Sequence, residues 1–355
     1  GTVLEERETE KGIFLYGVVE KRGADTVSVM PCVIAETVRK LPWQKSMRWG
    51  TSDLRYVRPL LSILCVFNGR PILGESDIGS DVKLEFGGQV FGHRFMAPNS
   101  FTVTSSHDYK QGLINAKVIL DPTERREKIE NDLIALANDA DLKIRTDPSL
   151  LDEVTGLVEW PVVLLGTIDE EFMDVPDEVL ITSMRSHQKY FSLLNEDGSL
   201  APRFGVVSNI EADDGGKAIV AGNERVLRAR LADAKFFWDQ DRKESLGSKA
   251  PSLKGVIFHA KLGSLGEKVD RVQSLATSIT SFVRGADRDQ VWSAARLAKA
   301  DLVTDMVGEF PELQGVMGRY YARHDGETQE VSEAIADHYA PQGPNDHCPK
   351  APISV

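Results

Sequence analysis

Around residue 220 the sequence changes its hydrophobic period, and that change bounds the fold. Before it, apolar residues come in short runs rich in β-branched and aromatic side chains, punctuated by Gly, Pro, Asn-Gly and Asp-Gly. Runs of this kind form strands and short helices joined by turns. After it, apolar residues recur at three- and four-residue spacing over long stretches, the pattern of amphipathic helices. The expectation is an α+β half followed by an all-α half. Residues 1–220 would form the α+β domain, 221–250 a helix and linker, and 251–355 a helical domain.

The individual segments sharpen this division. "GIFLYGVVE" (12–20) predicts a strand, and a short helix is expected after Pro31. The apolar run 56–72 is a strand or helix turning at Asn68–Gly69, and 83–98 a hairpin kinked at its glycines. Asp121–Pro122 opens a helix with apolar residues at 129, 133, 134 and 136. Strands are expected in 156–169 and 203–210, and helix, loop and strand in 176–198, turning at Asp197–Gly198. A helix starts at Asn223, a polar linker covers 247–255, and two further helices cover 265–283 and 289–310.

Charge and cysteine usage narrow the function classes. A net charge of −12 excludes a uniformly basic nucleic-acid binder, so nucleic-acid contact would come from local patches. Residues 181–250 carry 11 Lys/Arg against 10 Asp/Glu, +1 by difference, which leaves −13 for the rest. Three scattered cysteines suit a reducing cytoplasm rather than a disulfide framework. No window approaches eighteen uncharged apolar residues, so no membrane span is expected.

The candidate site residues follow from local pattern. In "MRSHQKYF", Arg185, His187 and Lys189 precede the aromatic Tyr190. Such a cluster suits a catalytic site, a nucleic-acid platform or a solvated strand edge. On the helix from Asn223, Arg225, Arg228, Lys235 and Arg242 fall on one flank at helical spacing and could follow a phosphate backbone; a solvated, carboxylate-paired flank is the alternative. Arg230 lies within the apolar sector, where an unpaired guanidinium is costly, so a structural ion pair with Asp233 is expected. His259 is a weak candidate for a first metal ligand, and the doublets His107–Asp108 and His324–Asp325 weaker still. Asp301 and Asp305, four residues apart, would share a helix face, solvated or neutralised by a metal or an Arg. No phosphate-binding Gly-rich loop, nucleophile elbow or H-E-x-x-H stands in the chain.

Taken in order, "LPWQKSMRWG" (41–50), "GHRF" (92–95), "LLDEVTGLVEWPVVLLG" (150–166), "MRSHQKYF" (184–191), "VVSNIEA" (206–212), "GNERVLRARLADAKFFW" (222–238), "KLGSLGEKVDR" (261–271) and "KADLVTDMVGEFPELQGVMGRYYA" (299–322) resemble the β subunit of bacterial glycyl-tRNA synthetase. The resemblance implies a tRNA-binding, non-catalytic subunit of an α2β2 glycine–tRNA ligase in the cytoplasm. ATP and Mg would sit at the α subunit, with no cofactor in this chain. Arg185, His187, Lys189, Tyr190, Arg225, Arg228 and Lys235 would be the residues facing tRNA(Gly), or the "MRSHQKYF" block would anchor a junction between domains. The family chain starts earlier and continues to an anticodon-binding region, so this sequence reads as a fragment.

The family's helical domain resembles the HD fold of metal-dependent phosphohydrolases. Where that fold has its His–Asp dyad, this chain reads Lys299–Ala300–Asp301. A protonated lysine does not ligate metal, so a degenerate, HD-like domain is implied. Two other functions remain in play: an HD-type phosphohydrolase using His259, Asp301 or His324–Asp325, and a scaffold that mainly holds the α subunit.

Overall fold

The computed structural model describes residues 2–19, 21–77, 83–344 and 346–355. The chain divides into two compact units, Gly1–Leu120 and Asp121–Val355.

The first unit is assembled from small sheets. Strands Thr2–Thr9 and Gly12–Val19 pair antiparallel as an isolated ribbon. Helix Thr26–Lys40 runs through Pro31 instead of starting after it. Strand Lys83–Gly87 lies between Ser62–Leu64, parallel, and Gly74–Asp77, antiparallel. Asn68 and Gly69 both take positive φ, 49° and 74°, as the tight turn between Val66–Phe67 and Arg70–Pro71 requires. The expected 83–98 hairpin is not formed. Gln89–Phe91 leaves the sheet of Lys83–Gly87 and pairs with Ser100–Thr102. Helix Ser106–Asn115 follows, its first turn capped by Ser105, whose hydroxyl accepts from the Asp108 amide.

The second unit opens on helix Pro122–Asp139, capped by Asp121 with proline in the first turn, as its sequence signals. It packs with helix Pro148–Thr155 on an antiparallel sheet ordered Lys143–Ile144, Phe191–Leu194, Leu200–Ser208, Val162–Thr167. Close packing there depends on glycine. A Cβ at Gly166 would lie 2.3 Å from the Phe204 ring.

The long helix Lys217–Asp241 buries Leu227, Leu231, Ala234 and Trp238. Their spacing of three or four residues puts them on one stripe. That stripe belongs to one core, which runs from Phe204 and Val206 on the sheet to Leu297, Met317 and Ile335 in the later helices. The fold is therefore mixed α/β, but the boundary expected at residue 220 is not where the chain divides. The long helix is a wall shared by sheet and helices, and the division falls at 120/121.

The segment expected as a polar linker is folded. Leu246–Lys249 and Ala250–Gly255 are helical turns that bury Leu246 and Leu253. Helix Leu265–Ile279 starts at a reciprocal capping box of Ser264 and Glu267. The expected helix 289–310 is broken into Arg288–Leu297, Ala300–Val303 and Asp305–Glu309. Thr304 takes an extended conformation and accepts from the Val307 amide, which restarts the helix. Helices Val316–His324 and Gln329–Asp337 complete the unit.

Candidate functional site

The "MRSHQKYF" block forms a single widened helical turn, Ser183–Gln188, directly after helix Asp177–Thr182. Lys189 ends it in the left-handed region at φ 60°, which turns the chain into strand Phe191–Leu194. Arg185, Ser186 and Lys189 then find polar partners on other elements. Arg185 donates through Nε to Asp147 Oδ2 at 2.7 Å and through Nη2 to Ser149 Oγ at 2.8 Å. Lys189 pairs with Glu153 at 2.9 Å. Asp147 also accepts from the Leu150 amide. Burial pushes the Asp147 carboxyl up, but the Leu150 amide and Arg185 together hold it below the usual range. Ser186 reaches Glu312 at 3.4 Å, and the His187 ring lies 5.7 Å from that of Phe310.

Tyr190 is buried, contrary to a role in touching RNA. Its ring stacks on Phe204 with centroids 4.6 Å apart, and its hydroxyl donates to Asn223 Oδ1 at 2.6 Å. Burial pushes the phenol up to about 12, so it stays a donor. The cause is the strand that starts at Phe191: the adjacent rings of Tyr190 and Phe191 pack into two different cores.

The cationic flank of the long helix is mostly paired. Arg228 grips Asp169 with two nitrogens, the Nη2 contact at 3.0 Å. Lys235 bridges both oxygens of Asp174 at 3.0 Å. Arg242 pairs with Asp239 at 2.9 Å and lies over the Trp238 ring. These contacts hold Asp169 below the usual carboxylate range and raise Lys235, chiefly through its bond to Asp174. Arg225, on the side away from the core, is exposed with no hydrogen bond or ion pair among the described residues. Arg230 is also exposed and makes no ion pair with Asp233, so the expected buried pair is absent. The buried stripe is narrower than the apolar sector of the sequence. Val226, at its edge, is 47% exposed, and Arg230 lies on the same edge.

Metal-ligand candidates are scattered. His259 is exposed, its Nδ1 accepting from the Lys261 amide at 3.1 Å in a hairpin turn. His324 is exposed, and Asp325 accepts from the Leu246 amide. Among the described residues no group of three or more His, Cys, Asp or Glu side chains is gathered to hold a metal. Asp301 shares no helix with Asp305 and is not solvated. It is fully buried, and its Oδ2 accepts from the amides of Gly315 and Gly318 at the start of helix Val316–His324. Burial raises its carboxyl to about 6 in spite of those two amides.

This geometry can be set beside known proteins. The family model described as glycyl-tRNA synthetase beta subunit matches residues 2–355. The chain belongs to the glycyl-tRNA synthetase β-subunit family. It is 48% identical over 373 aligned positions to the glycine–tRNA ligase beta subunit of Rhodospirillum centenum, covering 99% of this chain and 52% of that protein. The corresponding subunits of a Ruegeria species and of Phenylobacterium zucineum are 48% and 47% identical, each match covering at least 97% of this chain and 52% and 51% of the relative. The chain thus spans about half the length of the curated β subunits it matches.

Within this β-subunit chain, sequence reasoning missed one carboxylate. Asp241 ends the long helix and is 3% exposed. It accepts from the amides of Asp305 and Met306 at 3.1 and 3.0 Å and from the Tyr321 hydroxyl at 2.9 Å, with Lys249 Nζ at 3.7 Å. The available signal was helical spacing: Asp241 lies three residues after Trp238 and seven after Ala234, in line with the apolar stripe.

Proposed function

We propose that this chain is a tRNA-facing, non-catalytic part of a glycine–tRNA ligase β subunit, supporting ATP-dependent attachment of glycine to tRNA(Gly) by a separate α subunit. The observation that carries the reading is the match of residues 2–355 to the β-subunit family. ATP and Mg belong to the α subunit in this reading, the assembly is α2β2, and the compartment is the cytoplasm. The helices after residue 250 are taken as a degenerate HD-like arrangement, with Lys299–Ala300–Asp301 at the dyad position. Consistent with that, Asp301 spends one oxygen on two backbone amides. No helix among the described residues is long and apolar enough to cross a membrane.

The tRNA surface in this proposal centres on Arg225, with Arg228 and Lys235 exchanging their carboxylate partners for phosphates. Arg185, His187 and Lys189 stand at its edge. An exposed ion pair gains little in water, so a polyanion can compete for its cation. The test is a tRNA titration at two salt concentrations with the wild type and with Arg225, Arg228 and Lys235 all changed to Ala. The expected result is weaker binding and a salt slope smaller by about 0.9 for each phosphate no longer neutralised, scaled down in single-stranded regions. Unchanged affinity and slope in the triple variant would remove this helix from the surface.

A second reading, in which the chain mainly holds the α subunit, is favoured by the ribbon Thr2–Val19. Leu4, Ile13, Phe14 and Leu15 on it are about half or more exposed, and a lone two-stranded ribbon is marginal in water. Loss of α-subunit binding on deleting residues 2–19, with tRNA affinity intact, would favour that reading.

A further inference from the structure

Helices Leu265–Ile279, Arg288–Leu297 and Gln329–Asp337, with residues 348–355, line a cavity of about 600 Å³. Its size is that of a site for a small organic molecule. Most of the wall is small and apolar, with Val272, Val291, Ala295 and Ala298 among its residues. The polar exceptions are uneven in charge. Lys268 and Lys299 line the cavity, and no Asp or Glu is among its lining residues. Neither lysine has a carboxylate oxygen within ion-pair distance among the described residues. Lys299 Nζ lies over the Tyr339 ring at 3.6 Å, and Lys268 Nζ over the Phe258 ring at 3.9 Å.

Two further groups on the wall are buried without a hydrogen-bond partner, His338 Nε2 and Ser354 Oγ. His338 Nδ1 lies 2.6 Å from the carbonyl oxygen of Ile335. Burial, and then the nearby Lys299, lowers the imidazole to about 4, so it is neutral at pH 7. The Nδ1–H therefore donates to that carbonyl, and Nε2 presents a free lone pair. Buried polar atoms without partners are costly, and a charged lysine beside apolar walls more so. Burial, and then the like charge of Lys268, brings Lys299 down to about 8; the buried Asp301 carboxyl opposes this weakly.

We propose that this cavity is a binding site for a small organic anion with an apolar body, its acidic group held between Lys268 and Lys299, with His338 Nε2 free to accept from a donor where the body carries one. The apolar wall takes the body and the two cations take the head. A carboxylate, a phosphate monoester and a sulfonate share the required chemistry. This site is separate from the proposed tRNA surface and stands or falls independently of it.

The test uses the chain itself and the fluorescent sulfonate 1-anilinonaphthalene-8-sulfonate as probe, with phenyl phosphate, phenylacetate, inorganic phosphate and benzyl alcohol as competitors. Saturable binding is expected at one site, displaced by phenyl phosphate or phenylacetate, whichever head fits, but not by inorganic phosphate or the neutral alcohol. Lys299→Met keeps the stem and removes the charge; it should weaken the probe by about tenfold, the scale of one charge-assisted contact. Ala298→Phe fills the cavity and should abolish binding, with circular dichroism confirming that the variant is folded. Equal affinity in Lys299→Met, displacement by benzyl alcohol alone, or absence of saturable binding in the wild type would each overturn the proposal.

Discussion

The Asp241 carboxylate accepts the Tyr321 hydroxyl at 2.9 Å across 80 residues of sequence. The same carboxylate takes the first two amides of helix Asp305–Glu309. One buried side chain at the end of the long helix therefore positions two later elements. Asp241→Ala leaves three donors without their acceptor, and a destabilisation of about 3–5 kcal/mol is expected, the cost of breaking a buried charged network. Tyr321→Phe removes only one of those bonds and should cost about 1.5–3 kcal/mol. Urea unfolding of both variants checks the order; equal costs would mean that Asp241 does not hold the amides.

Asp301 gives a dependence on pH with a definite sign. Its folded-state carboxyl lies at about 6, above the ordinary value of 3.8, because it is buried. Between those values the folded chain keeps a proton that the unfolded chain releases, so this group lowers stability as pH rises from about 4 to about 6. Asp301→Asn keeps an oxygen for the Gly315 and Gly318 amides and cannot titrate. The stability of the variant relative to wild type should therefore increase over that window by about 1–3 kcal/mol. Denaturant midpoints at pH 4, 5, 6 and 7 measure it, and a flat difference would rule out the raised carboxyl.

Tyr190 separates packing from RNA contact. Tyr190→Phe leaves Asn223 Oδ1 without its donor and should cost about 1 kcal/mol, while Tyr190→Ala should cost about 3–5 kcal/mol through the cavity left beside Phe204. The side chain is buried, so tRNA affinity of the folded Phe variant should equal that of wild type. A selective loss of tRNA binding in Tyr190→Phe would contradict the buried placement.

Two glycines make a matched pair. A Cβ at Gly318 would lie 2.6 Å from Ile335 Cγ2 and 3.1 Å from Asp301 Oδ2, whereas one at Gly308 meets nothing within 4 Å. Gly318→Ala should destabilise by about 1–3 kcal/mol. Gly308→Ala, inside helix Asp305–Glu309, should be neutral or stabilise by up to about 1 kcal/mol. Thermal melts of the two variants shifting in the same direction would count against this placement of Asp301.

Much of the local structure was legible from the chain alone, and the failures share a cause. Asp121–Pro122 and the strand runs announced themselves because caps and hydrophobic period are local signals. The Asn68–Gly69 turn did so for the same reason. The helix 289–310 looked continuous because its apolar residues keep helical spacing; its second break, at Thr304, is fixed by Asp241 from far along the chain. Residues 247–255 looked like a linker by composition, yet Leu246 and Leu253 are drawn into the core. The basic flank of the long helix was readable, but its partners Asp169 and Asp174 were not, since they come from a preceding segment. The Tyr190 hydroxyl likewise meets an asparagine 33 residues away. Pairing across such distances belongs to tertiary structure, and the pattern of one helix does not contain it.

The shared wall formed by the long helix has a mechanical meaning. Leu227, Leu231 and Trp238 belong to the same core as Phe204 on the sheet and as Leu297 and Ile335 in the later helices. A chain cut near residue 220 would expose that core on both sides of the cut, so neither part of the second unit should fold by itself. Nor is there a hinge at this point. Whatever load is placed on the helices after residue 250 is carried through the packed stripe to the strands, and the two move together or not at all.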